Sequence, residues 1–394
     1  MKLKKIMCVA LSAVVLSGSV YGLLPCDVVN VAEAATGTNL KNAKTIGTGV
    51  SVTGKVSGTT SSQVYKFTAI SSGYVSFDIT RKKMEKAVEP SWKITVMDGS
   101  GTAVSEEHGA TFSTRPVMMK KDDIYYAVVE NYSHSDGEEF LLSAVFTDYA
   151  NVIAEPCDKV EEAVVIDSDS TFLGAIDMSR DKDYIKITAP EKGYVRLDFK
   201  KYNSTSTLSP SWKLNFFDSD LNALFTVRSE YVMDTLSTEG LYFALPEGKS
   251  IYLEVENAHN SAGVMYSLRA RFTESSLVEK EPNNSFSHAN NIKLKKTYKG
   301  SLAEGKTGDY FKFKAASDGK YVAELKLSNE LSKGYKITLY DQSKKEISVK
   351  RDITEAGKLS FKAKKGKTYY VVLEHVSLYK SGYNALYKLK ITKR

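Results

Sequence analysis

Over most of this chain, apolar and polar positions alternate with a period of two. In DYFKFK, residues 309 to 314, Phe311 and Phe313 alternate with Lys312 and Lys314. Further along, Ala323, Leu325 and Leu327 alternate with Glu324 and Lys326. A period of two sets one face of a strand against a core and the other toward water. Gly73, Gly193 and Gly319, each with small or charged neighbours, separate such segments and predict reversals between short strands. Two stretches, around 158 to 164 and 284 to 290, break the pattern and predict short helical pieces ahead of a core strand.

The strand pattern occurs three times. QVYKFTAISSGYVSFDI (63 to 79), DYIKITAPEKGYVRLDF (183 to 199) and DYFKFKAASDGKYVAELKL (309 to 327) are versions of one unit. PSWKITVMD (90 to 98), PSWKLNFFD (210 to 218) and KGYKITLYD (333 to 341) follow in order, then IYYAVVEN (124 to 131), IYLEVEN (251 to 257) and TYYVVLEH (368 to 375). A repeat of roughly 115 to 125 residues is the size of one independently folding domain. The sequence therefore predicts an all-β protein of three tandem antiparallel β-sandwiches, jelly-roll-like, over residues 36–150, 151–277 and 278–394. Short joins without Gly/Ser-rich composition predict a semi-rigid string. Trp92 and Trp212, at matched positions, are read as core residues rather than ligand-stacking platforms.

Ahead of the repeats, Lys2, Lys4 and Lys5 precede an apolar run from Ile6 to Leu24, and small residues follow at Ala32, Ala34 and Ala35. This predicts a signal peptide over 1–35 and a secreted, extracellular chain, with any cell-wall association non-covalent. Pro25 before Cys26 argues against a lipoprotein. Removing the leader takes Cys8 and Cys26 with it and leaves Cys157 alone, so no internal disulfide is expected. No later run is apolar enough to predict a membrane span.

Charge separates the repeats. Lys and Arg against Asp and Glu give −1 for residues 36–150, −7 for 151–278 and +14 for 279–394. Lysines in KLKKTYKG, KKGKTYY and YKLKITKR interleave with tyrosine, a composition suited to a polyanion such as teichoic acid or an acidic polysaccharide. The same lysines also suit edge protection and solubility. Nucleic acid is not expected as a partner, because no recognition motif accompanies the charge.

The segment EPNNSFSHANNIKLKKTYKGSLAEGKTGDYFKF, from Glu281 to Phe313, resembles the bacterial pre-peptidase C-terminal domain. That module is a β-sandwich following the catalytic domains of secreted peptidases, and it includes the collagen-binding domains of clostridial collagenases. The matching landmarks are EPNN, Ala289, Ile292, Gly300 with Leu302, and DYF. The second repeat carries them less fully as EPCDKVEEAVVI, Gly174 and DKDYIKI, and the first keeps mainly the strands. The peptidase that such modules accompany is missing from the sequence.

The resemblance implies Ca2+, held by acidic and amide side chains of the leading segment together with aspartates before the first core strand. Glu281, Asn283, Asn284 and Asp309 match these positions in the third repeat, and Glu155, Asp158, Asp181 and Asp183 in the second. Ca2+ takes six to eight hard oxygens, which carboxylates, amides and backbone carbonyls supply. Glu281 precedes Asp309 by 28 positions, as Glu155 precedes Asp183, and Asn284 and Asp158 each stand 25 before that aspartate. Thr307 replaces the first aspartate in the third repeat, and Ser61, Ser62 and Gln63 replace the acids in the first. The same residues also suit a plain turn and a helix N-cap.

No nucleophile, metallopeptidase or nucleotide motif occurs, and the five histidines are scattered, so no enzyme is expected. Glu130, Glu256 and Glu374 recur at equivalent strand ends and are read as structural. Cys157 has no neighbouring His or basic pair and is expected to pack or to lie inert. The reading is a non-catalytic binding protein that attaches to an extracellular polymer, either a protein fibre or a polysaccharide. The alternative is an accessory subunit of a separately encoded secreted hydrolase.

Overall fold

The computed structural model describes residues 39–394 except 59–60, 84–87, 178–180, 203–209, 229–240, 303–307, 329–333 and 377–385. The expected signal peptide, with Cys8 and Cys26, and Thr307 lie outside the described residues.

The alternating segments form strands that pair into three sandwiches. In the third, one sheet takes the order Asn290–Asn291, Asp309–Lys314, Thr368–His375, Tyr335–Tyr340, Glu346–Ile353. The facing sheet runs Thr297–Ser301, Leu386–Lys393, Gly319–Leu327, Ala356–Ala363. The second sandwich repeats this order, beginning with Val164–Val165 beside Lys182–Thr188 and with Thr171–Ala175 beside Met265–Glu274. The first does the same from Lys44–Thr45 and Ser51–Lys55, with two short strands, Phe112–Ser113 and Val117–Met119, on Gly73–Arg81. The leading two-residue strand of each sandwich pairs parallel, and every other named pairing is antiparallel. The all-β, jelly-roll-like class expected from the sequence is the observed one.

The structure sharpens one detail of the sequence reading and changes another. The strands flanking each Gly73-type reversal belong to opposite sheets, so the reversal is a corner of the sandwich rather than a hairpin. Gly193 serves close approach there, since a Cβ would meet the Thr273 carbonyl oxygen at 2.2 Å. The expected helical pieces also shrink. Residues 158 to 164 hold one 3-10 turn, Val160–Glu162, and 284 to 290 hold a turn closed by His288 N–H donating to the Ser285 carbonyl at 3.1 Å. Each segment is too short to propagate a helix and is held by side-chain contacts with the sheet.

Alternation places one core between each pair of sheets. Trp92 and Trp212 are fully buried, the latter edge-on to Phe199 and Tyr266. Glu130, Glu256 and Glu374 stand opposite Lys93, Lys213 and Lys336 across paired strands, at 2.8, 2.9 and 2.8 Å. The three glutamates thus share one cross-strand ion pair repeated in all three domains.

Both joins are packed. Met118, Val152, Ala154, Leu173, Ala175 and Met265 form an apolar cluster between the first and second sandwiches. Between the second and third, Ala244 N–H donates to Ser301 Oγ at 3.3 Å, and Lys299 Nζ lies 4.8 Å from the Tyr194 ring centre. Burial and directional contacts together leave each join little freedom.

Candidate metal centres at the two joins

Each leading segment is fastened to the first core strand by the same backbone contacts. Tyr310 N–H donates to the Asn283 carbonyl at 2.8 Å, and Tyr184 N–H to the Cys157 carbonyl at 2.8 Å. The glutamate two residues earlier folds back on its own turn: Asn283 N–H donates to Glu281 Oε2 at 2.9 Å and Cys157 N–H to Glu155 Oε2 at 2.7 Å. Glu281–Pro282 and Glu155–Pro156 are both cis. In the third sandwich Phe286 adds an anchor, lying edge-on among Tyr310, Tyr340 and Tyr370 on the outer sheet face.

A glycine and a tyrosine complete each site. A Cβ on Gly300 would come within 2.3 Å of Tyr387 Oη, and one on Gly174 within 2.4 Å of the Tyr266 ring. Only the missing side chain lets the phenol cross the neighbouring strand to the aspartate. Tyr387 Oη lies 2.7 Å from Asp309 Oδ2 and 2.6 Å from Glu279 Oε2, and Tyr266 Oη lies 2.5 Å from Asp183 Oδ2. In the first sandwich Phe140 stands where Tyr266 and Tyr387 stand in the others, and a Cβ on Gly54 would meet its ring at 2.2 Å and Tyr65 Oη, from the first core strand, at 2.3 Å.

In the third sandwich Glu279, Glu281 and Asp309 each bring a carboxylate oxygen within 4.8 Å of the others. Asn283 is wholly buried, its Nδ2 donating to Glu279 Oε2 at 2.8 Å, while its Oδ1 has no hydrogen-bond partner. Burial and then the Glu281 charge push the Glu279 carboxyl up to about 7, against the pull of Tyr387 and the Ser301 N–H. The Tyr387 phenol stands between the two carboxylates, so a further proton or a cation would relieve the charge they share. A buried amide oxygen without a donor beside three carboxyls is a hard-oxygen set that fits Ca2+.

In the second sandwich Glu155, Asp158 and Asp181 form one such group, and Glu155, Cys157 and Asp183 another. Burial first, then the charges of Asp183 and Asp177, raises the Asp181 carboxyl to about 10, and burial raises that of Asp183 to about 7.

The structure therefore draws together Glu281, Asn283 and Asp309 in one place and Glu155, Asp158, Asp181 and Asp183 in the other. Asn284 is exposed and lines a cleft of about 530 Å3 between the second and third sandwiches, across from Asp220 and Leu245. Cys157 is buried rather than inert at the surface, with its thiol among carboxyls. Sequence reasoning missed Glu279, Asp177 and the two tyrosines. Glu279 and Asp177 have no counterpart in the other repeat, where Ile153 and Ala303 stand at those positions. The tyrosines are far off in sequence, and only the matched Gly–Tyr pairs hint at them.

No protein-family model matches the chain, and no curated protein matches it. Among solved structures it is similar to the pre-peptidase C-terminal domain of a collagenase from Bacillus anthracis. The identity is 27% over 26% of this chain and 93% of that one, with a TM-score of 0.23. A Clostridium perfringens structure of an M60 catalytic domain with two CBM51 domains matches at 9% identity over 86% of this chain and 55% of that one, TM-score 0.19. Tandem CBM51 modules of a family 98 glycoside hydrolase from Streptococcus pneumoniae match at 8% identity over 55% and 82%, TM-score 0.17. The fold defines the chain as an all-β protein of tandem antiparallel sandwiches. No helix among the described residues is long and apolar enough to cross a membrane.

Proposed function

We propose that this is a non-catalytic extracellular attachment protein that holds an anionic polysaccharide against its third sandwich. The observation that carries the reading is a set of lysines in register on one outward sheet face. Lys299 stands opposite Lys388, and Lys388 opposite Lys326, so three lysines stand in register across three strands, the first of them at the join over Tyr194. Lys390 and Lys358 flank Glu324 in the next row, and Lys320 faces Lys362 beyond. Lys320, Lys326, Lys358, Lys362 and Lys388 are exposed. Like charges directly opposite destabilise a sheet, so such rows are expected where a polyanion offsets the repulsion.

Ca2+ belongs to this proposal as a brace. Bound by Glu279, Glu281, Asn283 and Asp309, it would neutralise the buried acids and set the angle at which the basic sandwich leaves its neighbour. The cation supplies no chemistry to a substrate here; the side chains hold and orient it.

The test is retention of the purified chain on immobilised teichoic acid and heparin, with neutral glucan as control, across a salt series. A Lys320→Gln, Lys326→Gln, Lys388→Gln variant, which removes charge without setting acid opposite acid, should elute at lower salt, with its melting temperature kept. Equal retention of variant and parent, or equal retention on the neutral glucan, would overturn the reading.

A further inference from the structure

The second sandwich differs from the third at one donor. Cys157 occupies the register position of Asn283: each stands 26 residues before its aspartate, Asp183 or Asp309. A hard amide oxygen is thus exchanged for sulfur inside an otherwise matching cage. The thiol is fully buried, 3.1 Å from Asp183 Oδ1 and 3.3 Å from Glu155 Oε1, and these three ligand atoms lie within 4.8 Å of one another.

An independent observation comes from Asp177, which belongs to neither of these contacts. Asp177 is only 8% exposed, and its backbone N–H donates to Asp181 Oδ2 at 2.5 Å. Among the described residues no hydrogen bond or ion pair reaches its carboxylate. Burial, and then the charges of Asp183, Glu155 and Asp158, hold its carboxyl well above the usual carboxylate range, with Arg115 of the first sandwich acting the other way. Arg115 is itself paired with Glu107 at 2.8 Å. A largely buried acid set among other acids adds to the negative charge that a ligand cation would offset.

We infer that the second sandwich carries a site for a thiophilic divalent cation of the zinc class, bound by Cys157, Glu155 and Asp183, with Asp177 beside it. Ca2+ gains little from sulfur, whereas Zn2+ takes thiolate at about 2.3 Å and carboxylate at about 2.0 to 2.2 Å. Closing the thiol–carboxylate group around a small ion therefore favours zinc over calcium. On binding, the S–H bond of Cys157 breaks, its proton leaves to solvent, and sulfur donates the electron pair to the metal; no oxidant or reductant takes part. Asp177 would add a further negative charge beside the ion. The two joins of the string would then answer to different ions, zinc between the first and second sandwiches and calcium between the second and third. This inference does not rest on polysaccharide binding, and either can fail alone.

The experiment uses the full chain with Cys8→Ser and Cys26→Ser, leaving Cys157 as its one thiol. Titration with Cd2+ should give a thiolate-to-cadmium ultraviolet band saturating at one equivalent. Equimolar Zn2+ should reduce the band, and a hundredfold excess of Ca2+ should leave it. Cys157→Asn should abolish the band, and Asp177→Asn should keep it while weakening cadmium binding at least threefold. Absence of a band at saturating Cd2+, or its loss to equimolar Ca2+, would overturn the inference. If Cys157→Asn fails to fold, the ion competition and the Asp177→Asn titration decide the matter.

Discussion

Tyr387 Oη sits 2.7 Å from Asp309 Oδ2, bringing a phenol from the last strand to an acid that opens the first core strand of the same sandwich. Tyr266 and Asp183 repeat the contact at 2.5 Å one domain earlier. Both tyrosines are completely buried, and burial followed by the neighbouring acid holds each phenol well above its usual range. They therefore remain donors at any physiological pH.

Removing that donor should leave buried carboxyls under-satisfied. Tyr387→Phe is expected to destabilise the chelated protein by about 1.5 to 3 kcal/mol, the range for a hydrogen bond to a charged group. Chemical denaturation with and without Ca2+ checks it, and the deficit should shrink when the cation is present. A variant as stable as the parent in chelator would contradict the role given to Tyr387.

Stability in chelator should depend on pH in a definite direction. Asp183 and Glu279 are both pushed up to about 7, so between the ordinary carboxyl range near 4 and pH 7 the folded state holds more protons than the unfolded one. Stability therefore falls as pH rises through that window, and Asp181, held up at about 10, carries the fall on above it. Saturating divalent cation should flatten the fall by taking the place of the protons. A melting temperature that climbs from pH 5 to 7 in EDTA would count against this account of the clusters.

The opposite sign belongs to the cross-strand pairs. Burial alone would raise the Glu256 carboxyl, but the ammonium groups of Lys182 and Lys213, at 2.6 and 2.9 Å, bring it down to about 2. Its contribution is complete above the unfolded value near 4.5 and disappears as pH falls toward 2. Glu256→Gln should accordingly narrow its stability gap from the parent as pH is lowered from 5 to 2, followed by urea unfolding.

Gly300→Ala and Gly54→Ala separate packing from the site. Both added methyls would enter occupied space, at 2.3 Å from Tyr387 Oη and 2.2 Å from the Phe140 ring, and each is expected to destabilise by about 1 to 3 kcal/mol. Only Gly300→Ala should also weaken Ca2+ binding, because its methyl would lie 2.6 Å from Glu279 Cδ. Isothermal titration of both variants checks the contrast, and equal calcium affinities would contradict it.

The lysine rows carry a stability consequence of their own. Lys326→Glu places an acid opposite Lys388 and is expected to stabilise the fold at low salt by about 0.2 to 1 kcal/mol while weakening polyanion retention. Thermal melts at two ionic strengths, read beside the salt at elution, test both halves.

The period-two pattern, the threefold order of landmarks and the charge of each repeat were legible in the chain. They depend on local alternation and on counting, which no distant contact alters. The acids Glu155, Asp183, Glu281 and Asp309 could be singled out because their spacing recurs. The helical reading of 284 to 290 failed because Phe286 docks among three tyrosines of the sheet, and that contact outweighs the weak preference of a short segment. Glu279, Asp177, Tyr266 and Tyr387 became visible only when the sheets closed. Tyr387 and Asp309 are 78 residues apart, and their strands lie in facing sheets. Sequence alone determined three basic-to-acidic variants of one sandwich; the tertiary structure decided which side chains share a buried volume, because only there do desolvated charges require a common partner.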